Sequence, residues 1–242
     1  MKNESRMDIH DPYHTSIIAE IGVNWDGDLE LAKNMMINAK KSGCDAVKFQ
    51  AFNESIVKNH PEKDRLLRSS INEENIDSIN ELSELIGIEW LCTPMIVEAV
   101  DLLEPYINKF KIRESDSHIL LENRTNSLTQ AILDSSKKII ISSQRSPKNS
   151  KYYKNPKINW LYCVPKYPCN LSDLDFTDFK DFNGYSNHCP QITAPVRAAF
   201  LGAKIIEVHI TSSKNKNFLD NPVSFDYNEL FEIVKQIRNI KK

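Results

Sequence analysis

Two histidines, His188 and His209, close the short apolar segments GYSNHC (184–189) and KIIEVHI (204–210). Between them Pro190, an apolar face and Gly202 mark the start, body and end of a helix. In a parallel strand–helix–strand unit the two histidine-bearing ends lie side by side, so both imidazoles can reach one metal ion. Two unrelated histidines, one packed and one solvated, are the plain alternative. Similar polar groups end other apolar segments: Glu20 and Asn24, Lys48 and Gln50, Thr93, Lys111 with Glu114 and Asp116, Ser142 and Ser143, Tyr167, and Ser186. Lys48 and Lys111 sit within apolar strands, where an ammonium needs an anionic partner. With the hydroxyls around them they suggest an anionic substrate, a phosphate or a carboxylate. Pairing of each lysine with Glu20, Glu114 or Asp116 is the alternative.

The elements that would position these groups alternate along the chain. Strands are expected at 16–23, 46–52, 89–94, 109–112, 138–143, 158–164, 184–189 and 204–210. Helices are expected at 29–42, ending at Gly43, at 73–86, ending at Gly87, and on toward Glu104. A weaker helix follows at 119–135, a short helical piece near 171–182, and an amphipathic helix closes the chain at 227–240. The rhythm breaks at QRSPKNSKYYKNPK (144–157), where the fifth outer helix is missing or replaced by a loop. Eight strands with crossovers and near-continuous apolar cores predict an α/β fold, a (β/α)8 TIM barrel, with active-site residues at the C-terminal strand ends. A doubly wound open sheet stays open as the alternative, since periodicity does not show closure. The barrel would occupy 16–242 as a single domain, after a polar N-terminal segment, 1–15. The uncovered strand surface at the fifth helix would be covered by another subunit or by the loop carrying Tyr152 and Tyr153.

Composition narrows the function classes. The chain has 242 residues, 40% of them hydrophobic, enough for one full core. A formal net charge of −2 gives no electrostatic case for nucleic acid or an anionic membrane surface. The start is polar, with no signal peptide pattern, and no apolar run is long enough to span a bilayer. Five cysteines, mostly within apolar runs and with no CxxC pair, read as reduced core thiols of a cytoplasmic protein.

The segment IAEIGVNWDGDLELAKNMMINAKKSGCDAVKFQAF (18–52) resembles the opening of the sialic acid synthase (N-acetylneuraminate synthase) family. WLCTP, FKIRESD, IIISS, CVPKYP and GYSNHC…GAKIIEVHIT follow in the order of that family's barrel. The resemblance implies a TIM barrel that condenses phosphoenolpyruvate with an N-acylated amino sugar, releasing phosphate and giving a nonulosonic acid. It implies a divalent metal, Mn2+ first, with Mg2+ or Co2+ as alternatives, on His188 and His209. Lys48, Thr93, Lys111, Ser142 and Ser186 would hold phosphoenolpyruvate. Glu20, Gln50, Asp116 (where the family has a glutamate), Tyr167 and Asp220 would face the sugar or take part in proton transfer, with Glu20, Asp116 and Lys48 the catalytic set.

This sequence also departs from the family's pattern. Trp25 replaces a histidine in GVNWDGD, Arg113 and Glu114 replace a small residue and a serine that touches phosphoenolpyruvate, and Pro165 replaces Asn or Ser. The family's C-terminal antifreeze-like domain, which lends an arginine to a partner subunit's site, is not expected within this chain. A homo-oligomer is expected, with a separate protein as a source of that domain. Two other functions stay open: a metal-dependent aldolase-like enzyme forming a carbon–carbon bond with a different anionic substrate, and a non-catalytic relative that binds a sugar or a partner.

Overall fold

In a computed structural model, residues 14–240 are described. The polar segment 1–15 therefore falls outside the described residues, apart from His14 and Thr15. The chain runs β1 (Ser16–Glu20), α1 (Leu29–Ser42), β2 (Ala46–Ala51), α2 (Glu54–Val57), α3 (Lys63–Arg68), α4 (Ile76–Ile86), β3 (Glu89–Pro94) and α5 (Glu98–Leu103). It continues β4 (Lys109–Ile112), α6 (Glu114–Leu121), α7 (Ser127–Asp134), β5 (Lys138–Ser143), β6 (Ile158–Tyr162), β7 (Gly184–Asn187), α8 (Thr193–Phe200), β8 (Ile205–His209) and α9 (Tyr227–Arg238). The eight strands are parallel and close in sequence order, with β1 paired to β8 over Ser16↔Ile205 through Glu20↔His209. Closure excludes the doubly wound sheet.

Strand parity organises everything inside. Side chains two apart on a strand share a face. Ile18, Ala46, Leu91, Ile140, Leu161 and Ile205 form one apolar layer at the foot of the barrel interior. The opposite parity, including Ile17, Val47, Phe49, Trp90, Phe110, Ile141, Trp160 and Ile206, packs outward against the helices as the main core. One step above the inner layer, the same faces carry Glu20, Lys48, Thr93, Ser142, Cys163 and Glu207. The interior thus changes from apolar to polar within two residues on six strands.

Helix ends follow local chemistry. Asp28 accepts from the Glu30 and Leu31 N–H groups at the start of α1, and Gly43 ends it in the left-handed region, where a glycine costs least. The expected helix at 73–86 starts later, at Ile76, and two short helices occupy the polar connection before it. The expected helix at 119–135 is two helices. α6 ends near Asn123, which adopts a positive φ of 62°, and Asn126 with Thr129 forms a capping box that opens α7. The piece at 171–182 is two short 3-10 turns, Leu171–Asp173 and Phe179–Asp181.

No helix occupies 144–157, as the composition there indicates. The loop is fastened instead: Ser146 Oγ donates to Asp181 (2.5 Å), Ser150 Oγ to the Leu120 carbonyl (2.8 Å), and Tyr152 and Tyr153 pack half-buried on the core. The tyrosine-bearing loop thus packs on this side of the barrel. All five cysteines are buried and free. No helix among the described residues is long and apolar enough to cross a membrane.

Candidate active site

A cavity of about 400 Å³ opens at the C-terminal ends of the strands, a size suited to small molecules. It brings together eleven of the residues singled out in sequence: Glu20, Lys48, Gln50, Thr93, Lys111, Ser142, Tyr167, Ser186, His188, His209 and Asp220. Of the twelve residues given a role by the resemblance, only Asp116 does not line it. β4 ends at Ile112 and the chain turns at once into α6, so strand parity no longer aims Asp116 inward. Arg113 grips it instead, donating from Nε (2.6 Å) and Nη2 (3.1 Å). Arg113 and Glu114 line the cavity in its place.

Charge is arranged around one residue that the sequence reading did not single out, Glu207. It is buried, accepts from Lys111 (3.2 Å) and Ser186 (3.0 Å), and lies 3.6 Å from Lys48. Its signal was present, since His209 is two residues on and must share its face. Lys48 also pairs with Glu20 (2.9 Å) and donates to Thr93 Oγ1 (3.0 Å). The alternative reading of the lysines is thus met for Lys48, whose partners include Glu20, while Lys111 pairs with Glu207.

The pKa values divide these groups. Burial, reinforced by the charge of Glu207 against the attraction of Lys48, raises Glu20 to about 7. Burial also acts to raise Glu207, but the charges of Lys111 and Lys48 outweigh it and hold the carboxyl at about 2. Glu207 is therefore the standing anion and Glu20 the group that carries a proton near neutrality. Burial lowers Lys111, whereas the two carboxylates outweigh burial at Lys48 and raise it.

The histidine rings lie 5.4 Å apart, each edge-on to Tyr167. Burial depresses both, and His209 is lowered further by His188 and Lys48, so both imidazoles are neutral. His188 Nδ1–H donates to the Val164 carbonyl (2.9 Å), which leaves Nε2 with its lone pair free. His209 Nδ1 is buried without a hydrogen-bond partner. Among the described residues no group of three or more His, Cys, Asp or Glu is placed to hold a metal, so these two imidazoles stand as a pair.

Opposite them, Tyr167 donates to Asp220 Oδ1 (2.6 Å), and burial raises both groups. Asn24, fully buried, fixes this loop: its Oδ1 accepts from the Asp220 N–H (2.9 Å), and its Nδ2 donates to Ile210 O (2.9 Å) and Ser224 Oγ (3.0 Å). Gly22, at φ +54°, makes room for the acids, because a Cβ there would meet Asp220 Oδ2 at 2.8 Å and Glu20 Oε1 at 3.3 Å. Gly22→Ala is expected to cost about 1–2 kcal/mol for the left-handed backbone alone, read by urea denaturation, and to impair activity. An unchanged midpoint would contradict this. Trp25 takes no part in the cavity; it is a core residue whose Nε1 donates to Ser69 O (2.8 Å) and whose ring packs edge-on against Phe49.

Residues 35–242 match the model of the NeuB family. An uncharacterised protein of Methanocaldococcus jannaschii is 34% identical over 94% of this chain and 71% of its own length. The N,N'-diacetyllegionaminic acid synthase of Legionella pneumophila is 29% identical over 92% of this chain and 71% of its own. Among solved structures, N-acetylneuraminic acid (sialic acid) synthetase from Leptospira borgpetersenii, in complex with citrate, superimposes with a TM-score of 0.81 at 28% identity, covering 96% of this chain and 87% of that one. The chain belongs to the NeuB family and is an enzyme of the sialic acid synthase kind.

Proposed function

We propose that the protein condenses phosphoenolpyruvate with the open-chain aldehyde of an N-acylhexosamine, consuming water and releasing phosphate to give a nonulosonic acid. One observation carries the reading. Among the described residues, the buried polar side-chain atoms left without a partner include Glu20 Oε2, Ser142 Oγ, Glu207 Oε2, His209 Nδ1 and Asp220 Oδ2, all in this one cavity. Buried polar groups are ordinarily satisfied, so such a concentration supports a polar ligand as the missing partner.

A divalent metal, manganese first, fits the pair of neutral imidazoles with lone pairs free at His188 Nε2 and His209 Nδ1. Its remaining positions would fall to water and substrate. When bound it supplies Lewis-acid polarisation of the aldehyde. The chain's own residues do the rest. Lys48 and Lys111, with Thr93, Ser142 and Ser186, bind and orient the phosphate and carboxylate of phosphoenolpyruvate. Glu20, protonated near neutrality and linked to Gln50 (2.9 Å), holds a proton beside the reacting carbons and can exchange it with the water that adds at C2. Tyr167 and Asp220 form the sugar side of the cavity, where their shared proton orients hydroxyls.

Mass spectrometry of the reaction tests this. The product is expected at the summed mass of phosphoenolpyruvate, sugar and water less phosphoric acid. Free pyruvate with unchanged sugar would overturn the reading.

The same groups set a pH dependence of stability, measured on metal-free protein. Glu20 ordinarily titrates at 4.5 and is raised to about 7, so between these values the folded state holds a proton that the unfolded chain has released. Its contribution falls as pH rises through that window. His188 and His209, depressed by burial, act in the opposite sense and lose stability as pH drops below their ordinary 6.5. The Glu20 contribution is therefore read as the difference in melting temperature between wild type and Glu20→Gln. Wild type is expected to lose stability relative to the variant from pH 5 to 7.5; a constant difference would contradict the assignment.

A further inference from the structure

β4 and β5 end side by side, and each brings to the cavity a group assigned above to phosphoenolpyruvate, Lys111 and Ser142. Glu114 bridges these two ends. It is the first residue of α6, three positions after Lys111, and lines the cavity with a side chain only 10% exposed. Its Oε1 is held from two sides. His118 Nε2, one turn along α6, lies 2.8 Å away, and the Gln144 N–H, two residues after Ser142, donates to the same atom at 3.4 Å. No group among the described residues donates to Oε2.

A carboxylate at this place opposes a donor whose phosphate and carboxylate are both anionic. Arg113 is adjacent in sequence, but its guanidinium is turned to Asp116 through Nε (2.6 Å) and Nη2 (3.1 Å). Lys111 is turned to Glu207 (3.2 Å). The group in contact with Glu114 that can add a positive charge is His118, whose half-exposed side chain exchanges protons with solvent. Imidazole is the side chain whose charge ordinarily changes between pH 5 and 8. The other charges around the pair are Glu122, one turn beyond His118 and paired with Arg124, and Arg145 in the loop after β5. The Cys163 thiol, facing in from β6, is pushed up to about 12 by burial and stays neutral.

We propose that Glu114 and His118 form a proton-carrying pair on the donor side of the cavity, so that phosphoenolpyruvate binds together with one proton taken from solvent. This rests on the synthase reading above. The proton sits on the imidazole or, moved onto the carboxyl, is donated from Oε2 to a phosphate oxygen. With it the pair is neutral overall and the phosphate is tolerated; without it the carboxylate repels the donor. Donor binding is therefore tight at pH 6 and weakens as the pH rises. His118 is a positioning residue that acts through Glu114 and does not touch the donor.

The test is calorimetric titration of the manganese-loaded protein with phosphoenolpyruvate at pH 6, 7 and 8, in buffers of different ionisation heat. This reads both the affinity and the protons taken up. Wild type is compared throughout with Glu114→Gln, which keeps the shape and removes the charge, so that the ionisation of the donor and of the metal site cancels. From pH 6 to 8 the dissociation constant of wild type is expected to rise at least about fivefold relative to the variant's, the effect of one charge about 4 Å away in bulk water. At pH 7 wild type should take up a larger fraction of a proton than Glu114→Gln. His118→Asn, which keeps a side-chain N–H without the charge, should weaken binding at pH 6 by at least about fivefold, and should change little when combined with Glu114→Gln. An equal loss from His118→Asn in both backgrounds would overturn the proposal, because His118 would then not act through Glu114. Equal pH dependence and equal proton uptake in wild type and Glu114→Gln would overturn it too, with the synthase reading intact. Failure of phosphoenolpyruvate to bind at any pH would remove that reading and this proposal with it.

Discussion

Replacing Glu207 with glutamine is expected to destabilise the protein by about 3–5 kcal/mol, the range found when one member of a buried ion pair is removed. The cost arises because Lys111 loses its carboxylate (3.2 Å) and Lys48 one of its two. Removing a carboxyl hydrogen bond is not the main effect; leaving a buried ammonium without an anion is. A loss of that size is a large fraction of a typical stability of about 5–15 kcal/mol. A second variant separates charge from packing. Glu207→Gln with Lys111→Met removes the stranded ammonium and should recover at least half of the lost stability, because buried pairs replaced by apolar groups often cost little. Chemical denaturation of the single and double variants decides it. If the double variant loses the sum of two independent penalties, Glu207 is not the hub of the charges here.

Replacing either His188 or His209 with alanine is expected to abolish stoichiometric binding of a divalent metal, lowering affinity by at least about 100-fold, since loss of an outer-shell group alone costs about 10–100-fold. The fold should persist, because both rings stand at the cavity wall, above the apolar layer at the foot of the barrel. Metal content after dialysis against a limiting chelator, with melting temperature alongside, separates loss of the site from loss of the fold. An intermediate effect is expected from moving the Val164 carbonyl, which receives the His188 Nδ1 proton and fixes its tautomer. Retention of stoichiometric metal in both alanine variants would dispose of a shared site.

The way the sequence encodes this site explains both what it reveals and what it hides. Strands of a barrel are apolar on both faces, so a polar residue within one stands out, and Lys48, Lys111 and the two histidines are legible for that reason. Once one residue of a strand is placed inward, parity places its second neighbours, which is how Ser186 accompanies His188. The same step applied to His209 finds Glu207. Its partners, Lys48 and Lys111, lie on β2 and β4, and only barrel closure brings β8 to them. Asp116 stays off the cavity wall for the converse reason. It follows the strand by too many residues for parity to hold, and Arg113, three positions before it, is the competing partner. Trp25, at the mouth of β1 by position, is drawn into the core by the Ser69 carbonyl, 44 residues away on a connection whose path the sequence does not show. The helix boundaries near Asn123 and Asn126 were present in the chain as turn and capping residues within an apparently continuous apolar pattern.

Phosphate release from phosphoenolpyruvate, in the presence of manganese and a panel of N-acylhexosamines, tests the proposed activity most directly. Release that requires both a sugar and the metal, and that stops when a chelator is added, is the expected result. Release independent of sugar, or none with any member of the panel in protein carrying metal at the two histidines, would contradict the synthase reading.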